Sequence, residues 1–330
     1  MERDIVLSVE NLATEFTTDD GVVRVLDGVS FQVPRGKTLG IVGESGCGKS
    51  VTSMSIMGLL PRPYGQVVDG KILYRDQDLT KLSAEKLYEM RGNRISMIFQ
   101  DPMTALNPVH TIGKQLIEVL KLHRTDLSKK EQFAYALEML EKVGIPSPET
   151  RINEYPHNLS GGMRQRVMIA IALACNPDVL ICDEPTTALD VTVQAQILEL
   201  MASLQEETGM SIIFITHDLG VVAEICDEVV VMYAGRVAEQ AGIMELFDNP
   251  KHPYTRGLMA SMPSLNMTPK TELDTIPGAV PSLSEMPSGC RFSTRCKNKQ
   301  AKCETVAPAL QPVAASHNVS CHFWGELSHA

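Results

Sequence analysis

Gly43-Glu-Ser-Gly-Cys-Gly-Lys49-Ser50 matches the pattern G-x-x-x-x-G-K-[S/T] in full. It follows the short apolar run Thr38-Leu-Gly-Ile-Val42, which suits a buried parallel strand. It precedes a stretch of helical character from Ser50 to Leu60 that Pro61 and Pro63 stop. Glycines leave room for backbone N–H groups to approach phosphate oxygens, and a helix N-terminus favours the anion. The residues Gly43, Glu44, Ser45, Gly46, Cys47, Gly48, Lys49, Ser50 and Val51 therefore form a candidate nucleotide cradle. Lys49 would reach the β- and γ-phosphates, and the Ser50 hydroxyl would ligate Mg²⁺. Cys47 lies inside the loop beside Lys49, where a thiol is expected to have a lowered pKa. Alkylation there should inhibit, and nucleotide should protect.

Working outward, further apolar runs appear at Ile95-Ser-Met-Ile-Phe99, Val179-Leu-Ile-Cys182, Ser211-Ile-Ile-Phe-Ile215 and Val229-Val-Val-Met232. They alternate with helical patterns, which predicts a parallel, doubly wound sheet. Residues 5–10 and 22–33 read as strands around the turn Asp19-Asp20-Gly21. Residues 112–123, 128–144 and 158–175 carry apolar residues at helical spacing, so about 105–165 reads as a mainly helical insertion. The run at 179–182 delivers Asp183 and Glu184 at the end of a buried strand. Asp183 would hold Mg²⁺, and Glu184 would polarise the attacking water. Leu159-Ser160-Gly161-Gly162-Met163-Arg164-Gln165-Arg166 could present a second anion-binding nest at a helix start. One nucleotide cannot easily use two such nests in one subunit, so this one makes best sense facing a phosphate held by another subunit.

The whole composition narrows the class. The 330 residues suggest about two domains. A net charge of −10 argues against a general nucleic-acid binder. No apolar run is long enough to span a bilayer. The opening Met1-Glu-Arg-Asp4 carries acid without a long apolar stretch, so a secretory signal is not expected. The protein should stay in the cytosol, or reach a membrane by docking on another chain.

These motifs stand in the order found in the ATP-binding subunits of ABC transporters, which the chain resembles over nearly its whole length. The resemblance implies an α/β P-loop NTPase core with an antiparallel β subdomain, a helical insertion and a small loop-rich C-terminal extension. The core would occupy 1–250, with its helical subdomain at about 101–165, and the extension 251–330. Two subunits would sandwich two ATP molecules, each loop at 43–50 facing the partner's segment at 159–166. By the same resemblance Phe16 stacks on adenine, Gln100 contacts Mg²⁺ or the attacking water, and His217 bonds the γ-phosphate and holds Glu184. Ala188-Leu189-Asp190 matches the D-loop, with Asp190 at the dimer interface. The intact Lys49, Asp183, Glu184 and His217 predict a hydrolytically competent site.

Four stretches look like one branch of that family: Phe99-Gln-Asp-Pro-Met-Thr-Ala-Leu-Asn-Pro108, Met232-Tyr-Ala-Gly-Arg236, His252-Pro-Tyr254, and Ile276-Pro-Gly278 with its cysteine-bearing tail. They resemble the oligopeptide/dipeptide/nickel importers, and their oligopeptide- or dipeptide-type "D" subunit. The resemblance implies a second, related ATPase as heterodimer partner, two transmembrane permease subunits and, indirectly, an extracytoplasmic solute-binding protein. It places the chain peripherally on the cytoplasmic face of the cell membrane. Peptides are the expected cargo; nickel and oligosaccharides are the alternatives, as is a soluble ABC ATPase not tied to transport. Against the soluble alternative stand the single cassette and the tail.

In that tail Cys290, Cys296, Cys303 and Cys321 crowd into a short segment. In a reducing compartment such a cluster reads as metal ligation before disulfides. The spacing lacks the short C-x2–4-C pairs of structural zinc. A 4Fe–4S cluster on four thiolates tolerates it, and Arg291, Arg295, Lys297 and Lys302 would offset its charge. Zinc and unligated or disulfide cysteines are the alternatives. His317 and His322, nearby, read as solvated side chains.

Overall fold

The computed structural model describes residues 4–101, 105–187, 189–262 and 274–326. Ala188 and residues 102–104, within two of the stretches quoted above, lie outside the described residues. The chain forms two compact units. The first comprises Met1–Leu7, Val33–Lys37 and Lys81–Ile215; the second comprises Ser8–Gln32, Thr38–Thr80 and Thr216–Ala330.

In the first unit, Val179–Asp183 lies parallel to both Ile95–Ile98 and Ser211–Thr216. Every residue of these strands is buried. Their unbroken apolar runs, with no inside–outside alternation, are what a parallel sheet covered on both faces requires. The helices Ile112–His123, Lys129–Lys142 and Gly161–Leu173 pack on one another, where the periodicity places helices. Ile112, Leu116 and Leu120, one turn apart on one stripe, are fully buried. Each helix opens on a side-chain cap: Thr111, Ser128 with a reciprocal Glu131 bond, and Ser160.

The second unit holds two sheets. One is four-stranded, in the order Gly21–Pro34, Ile5–Thr18, Gly65–Tyr74, Gln77–Asp78. Its first two strands are neighbours joined by a two-residue turn, which makes them an antiparallel hairpin. The other sheet runs Gln311–Ala314, His317–Val319, Arg236–Gly242, Glu228–Tyr233, Thr38–Val42. Only the pair of Thr38–Val42 with Glu228–Tyr233 is parallel among these; the other three pairs are antiparallel. The tail is thus not loops alone. Its last two strands cover the edge of Arg236–Gly242, whose backbone groups would otherwise need other partners. Among the described residues no helix is long and apolar enough to cross a membrane.

Candidate active site

In the second unit, the buried strand Thr38–Val42 ends at Gly43. A Cβ on Gly43, at φ 154°, would lie 2.3 Å from the Met232 carbonyl oxygen and 2.7 Å from Cys47 Sγ, so only glycine fits there. Gly48, at φ 103°, caps the helix Lys49–Met57 with no side-chain hydrogen bond. A glycine at this position puts no capping side chain of its own over the helix start, the kind of place where anions bind. Lys49 is buried, and its Nζ donates to the carbonyls of Gly43 (2.7 Å) and Glu44 (3.3 Å). Its ammonium is thereby aimed across the loop. Ser45 and Gly46 at the loop crest are exposed, while Ser50 and Val51 are half-buried. Phe16 is half-buried and its ring lies against Gly65, where an added Cβ would come within 2.9 Å of Cε1.

Cys47 departs from expectation. It is 1 % exposed, and its sulfur turns in under Gly43. Burial raises its thiol pKa, and the nearby Lys49 charge only partly offsets this. The sequence places Cys47 beside a cation and a helix start, but the loop folds the thiol away from water, so the predicted low pKa is wrong.

The same unit holds His217, exposed just past the strand Ser211–Thr216. Asp218 caps the next helix by accepting from the amides of Gly220 and Val221.

In the first unit, Asp183 is buried at the end of Val179–Asp183. Glu184 follows at φ 48°, a left-handed backbone that turns its side chain off the strand line. Gln100 Nε2 donates to Glu184 Oε2 at 3.0 Å, and Thr187 Oγ1 donates to the same oxygen at 3.1 Å. Thr187 went unnoticed in the sequence, although its position three residues after Glu184 allows a local bond. Ser160 caps Gly161–Leu173 by accepting from the Met163 amide, and Ser160 and Gly161 are exposed. Gly162 has no room for a Cβ: one would lie 2.9 Å from Val193 Cγ1. Asp190 caps the helix Val191–Thr208 by accepting from the Val193 amide at 2.9 Å. Gln100, Asp183, Glu184, the 160–162 segment and Asp190 thus share one unit; the loop at 43–51, Phe16 and His217 share the other.

The four tail cysteines line one cavity in the second unit, together with Pro253, Phe292, Pro308 and Phe323. None is disulfide-bonded. The Cys290 amide donates to the Cys303 carbonyl at 2.8 Å, tying two of the segments together. Burial raises the thiols of Cys290 and Cys296, and pushes Cys321 up to about 11. Among the described residues no three of the Cys, His, Asp and Glu side chains stand close enough to hold a metal ion. Two of the four expected counter-charges are engaged elsewhere. Arg291 bonds Asp27 and the Ala234 carbonyl, and Arg295 pairs with Glu44. His317 is also not solvated: it is fully buried, with Nε2 2.7 Å from Glu239 Oε1. His322 Nε2 lies 2.8 Å from the Val306 carbonyl oxygen.

Residues 26–187 match the family described as "ABC transporter", and residues 238–303 match "Oligopeptide/dipeptide transporter, C-terminal region". The dipeptide transport ATP-binding protein DppD of Bacillus subtilis is 54% identical over 316 residues, covering 96% of this chain and 94% of its own. A probable peptide ABC transporter ATP-binding protein of Sinorhizobium fredii, y4tR, is 52% identical over 320 residues, covering 97% and 95%. The ATP-binding cassette MJ0796, solved as a dimer bound to ADP and Pi, superposes with a TM-score of 0.64 at 28% identity, covering 72% of this chain and 98% of its own. With these matches spanning residues 26–187, the tail and nearly the whole length of the relatives, the chain belongs to the ATP-binding proteins of ABC transporters, in the oligopeptide/dipeptide branch.

Proposed function

We propose that this chain hydrolyses ATP to drive import of oligopeptides or dipeptides through a binding-protein-dependent transporter. The observation that carries the proposal is the loop at 43–50. It offers a glycine-lined bend, a helix start with no side-chain cap and a buried lysine held across the loop, all within one unit. Together these suit a polyphosphate.

The roles follow from the residues. Backbone amides of Gly46, Gly48 and Lys49 would bind phosphate oxygens, and Lys49 would leave the Gly43 carbonyl for the β- and γ-phosphates. Gln100 and Thr187 hold one oxygen of Glu184, leaving the carboxylate oriented to accept a proton from an attacking water. His217 would bond the γ-phosphate. Phe16, on the flat surface of Gly65, would stack on the adenine. Ser50, Asp183 and Gln100 are the residues proposed for Mg²⁺: each would offer it an oxygen, the donor that ion prefers, and Mg²⁺ would neutralise the developing phosphate charge. Ser160, Gly161 and Gly162 would close over the ATP of a partner subunit, with Asp190 beside that interface.

The reading includes a heterodimer with a second, related ATPase, two permeases, an extracytoplasmic binding protein and a peripheral place on the cytoplasmic face of the membrane. It also divides the chain into an ATPase domain at 1–250 and an extension at 251–330. Names of the relatives support the peptide cargo.

The tail cysteines are proposed to hold a 4Fe–4S cluster. What supports it is four thiols around one largely apolar cavity. A tetranuclear cluster holds its thiolates farther apart than a single tetrahedral ion does. The cluster would cross-link the tail segments. Anaerobically purified protein should carry about four irons and matching acid-labile sulfide; one zinc and no iron would overturn this part alone.

The main test uses the assembled transporter in proteoliposomes. Glu184→Gln should keep ATP binding and lower peptide-stimulated hydrolysis at least about 100-fold. Wild-type hydrolysis by that complex would refute the role of this chain's site, and nickel uptake without peptide uptake would replace the cargo.

A further inference from the structure

A carboxylate inside a loop built for a polyanion is an electrostatic liability. Glu44 is the second residue of the loop and its side chain is partly exposed. The structure answers it from 251 positions away. Arg295 Nη1 and Nη2 donate to the two Glu44 carboxylate oxygens at 2.5 and 3.0 Å, a bidentate pair. Arg295 is itself fixed from several sides. Its Nε donates to the Pro277 carbonyl at 2.9 Å, Nη2 reaches the Ile276 carbonyl at 3.3 Å, and the guanidinium lies over the Tyr233 ring at 5.8 Å. Its side chain is 5% exposed. The main chain of Glu44 is held as well: its amide donates to the Tyr254 hydroxyl at 2.9 Å, and Tyr254 is fully buried against the Tyr233 ring. Glu44's carbonyl meanwhile accepts from Lys49. Tyr254 and Arg295 thus set the first limb of the loop, and Arg295 cancels its negative charge.

We propose that Arg295 is a positioning residue for ATP, acting through Glu44: it neutralises the carboxylate beside the phosphates and holds the loop in its binding shape. This rests on reading the loop at 43–50 as the nucleotide site. It makes nucleotide affinity depend on the docking of the cysteine-bearing tail, since Arg295 sits between Cys290 and Cys296 and its geometry is set by that segment.

The test measures binding of a fluorescent ATP analogue with Mg²⁺ to the full chain in its complex. Arg295→Met should weaken binding about tenfold, within the range for coupled neighbours. The loss should appear in KM for ATP rather than kcat. Adding Glu44→Gln to Arg295→Met should restore affinity to within about threefold of wild type, because the unpaired charge is then gone. A structural role alone predicts no such rescue. An unchanged affinity in Arg295→Met, or a double variant as weak as the single, overturns the proposal. Lys49→Ala, measured alongside, isolates the underlying reading: if it binds like wild type, the loop is not the nucleotide site and that assignment fails first.

Discussion

Replacing His317 with leucine should loosen the last two strands of the chain and nothing else in the sheet. His317 and Glu239 side chains are both fully buried and 2.7 Å apart. His317 Nδ1 also lies 3.4 Å from Glu245. Removing the imidazole leaves a buried carboxylate short of one charged partner. Breaking a buried pair from one side costs about 3–5 kcal/mol. Glu239 keeps the amides of Lys251 (2.6 Å) and His252 (2.9 Å), so the lower end applies. About 3 kcal/mol corresponds to roughly 100-fold in an opening equilibrium. Hydrogen exchange reads this directly at Ser320, whose amide donates to the Ala238 carbonyl across the strand pair. Its protection should fall about 100-fold, while Gly40 to Val42 keep theirs. A fall smaller than about threefold would show that the pair contributes no local stability and would refute the argument.

The pair also sets a pH window. Burial lowers the His317 pKa, but the Glu239 hydrogen bond and charge, aided by Glu245, carry it above its ordinary 6.5. Stabilisation from His317 is therefore complete below 6.5 and is lost as pH rises through the raised value. Burial raises Glu239, but its bonds to His317 and to the amides of Lys251 and His252 bring it below its ordinary 4.5. That contribution is present above 4.5 and is lost as pH falls through the lowered value. Intrinsic-rate-corrected protection of Ser320 should be greatest between the two and decline on both sides; a flat profile would contradict it.

Other outcomes follow from single positions. Gly43→Ala should abolish ATP binding without unfolding the first unit, because its Cβ would meet the Met232 carbonyl at 2.3 Å; measurable affinity would mean that the loop can shift. Cys47, buried and with a raised pKa, should resist iodoacetamide at pH 7 in the native protein, as peptide mapping would show; rapid modification would return the thiol to the loop surface. Asp190→Ala should cost about 1 kcal/mol through the lost cap of Val191–Thr208, read as a lower urea midpoint, whereas Asp190→Ser should recover most of it.

The nucleotide loop, the acidic strand end, the buried parallel strands and the helices at 112–123, 128–144 and 158–175 were legible in the chain. Each is a local pattern: a glycine spacing, an unbroken apolar run, a 3.6-residue period. Capping residues such as Thr111, Ser128 and Ser160 act within three residues of themselves, so adjacency carries their meaning. Local patterns say little about where a side chain ends up once distant segments meet. Adjacency to Lys49 argued for a reactive Cys47, yet the Gly43 bend buries the thiol. His317 looked like one more surface imidazole until the final strand laid it against Glu239. Arg291 and Arg295 sit among cysteines in sequence, but their charges serve Asp27 and Glu44. The chain by itself determined the glycine-bent loop proposed to hold phosphate, because that pattern is contained in eight consecutive residues. Only the tertiary structure decided which charges pair, because a guanidinium and a carboxylate 251 residues apart acquire a partner only when folding has closed the distance and removed the water between them.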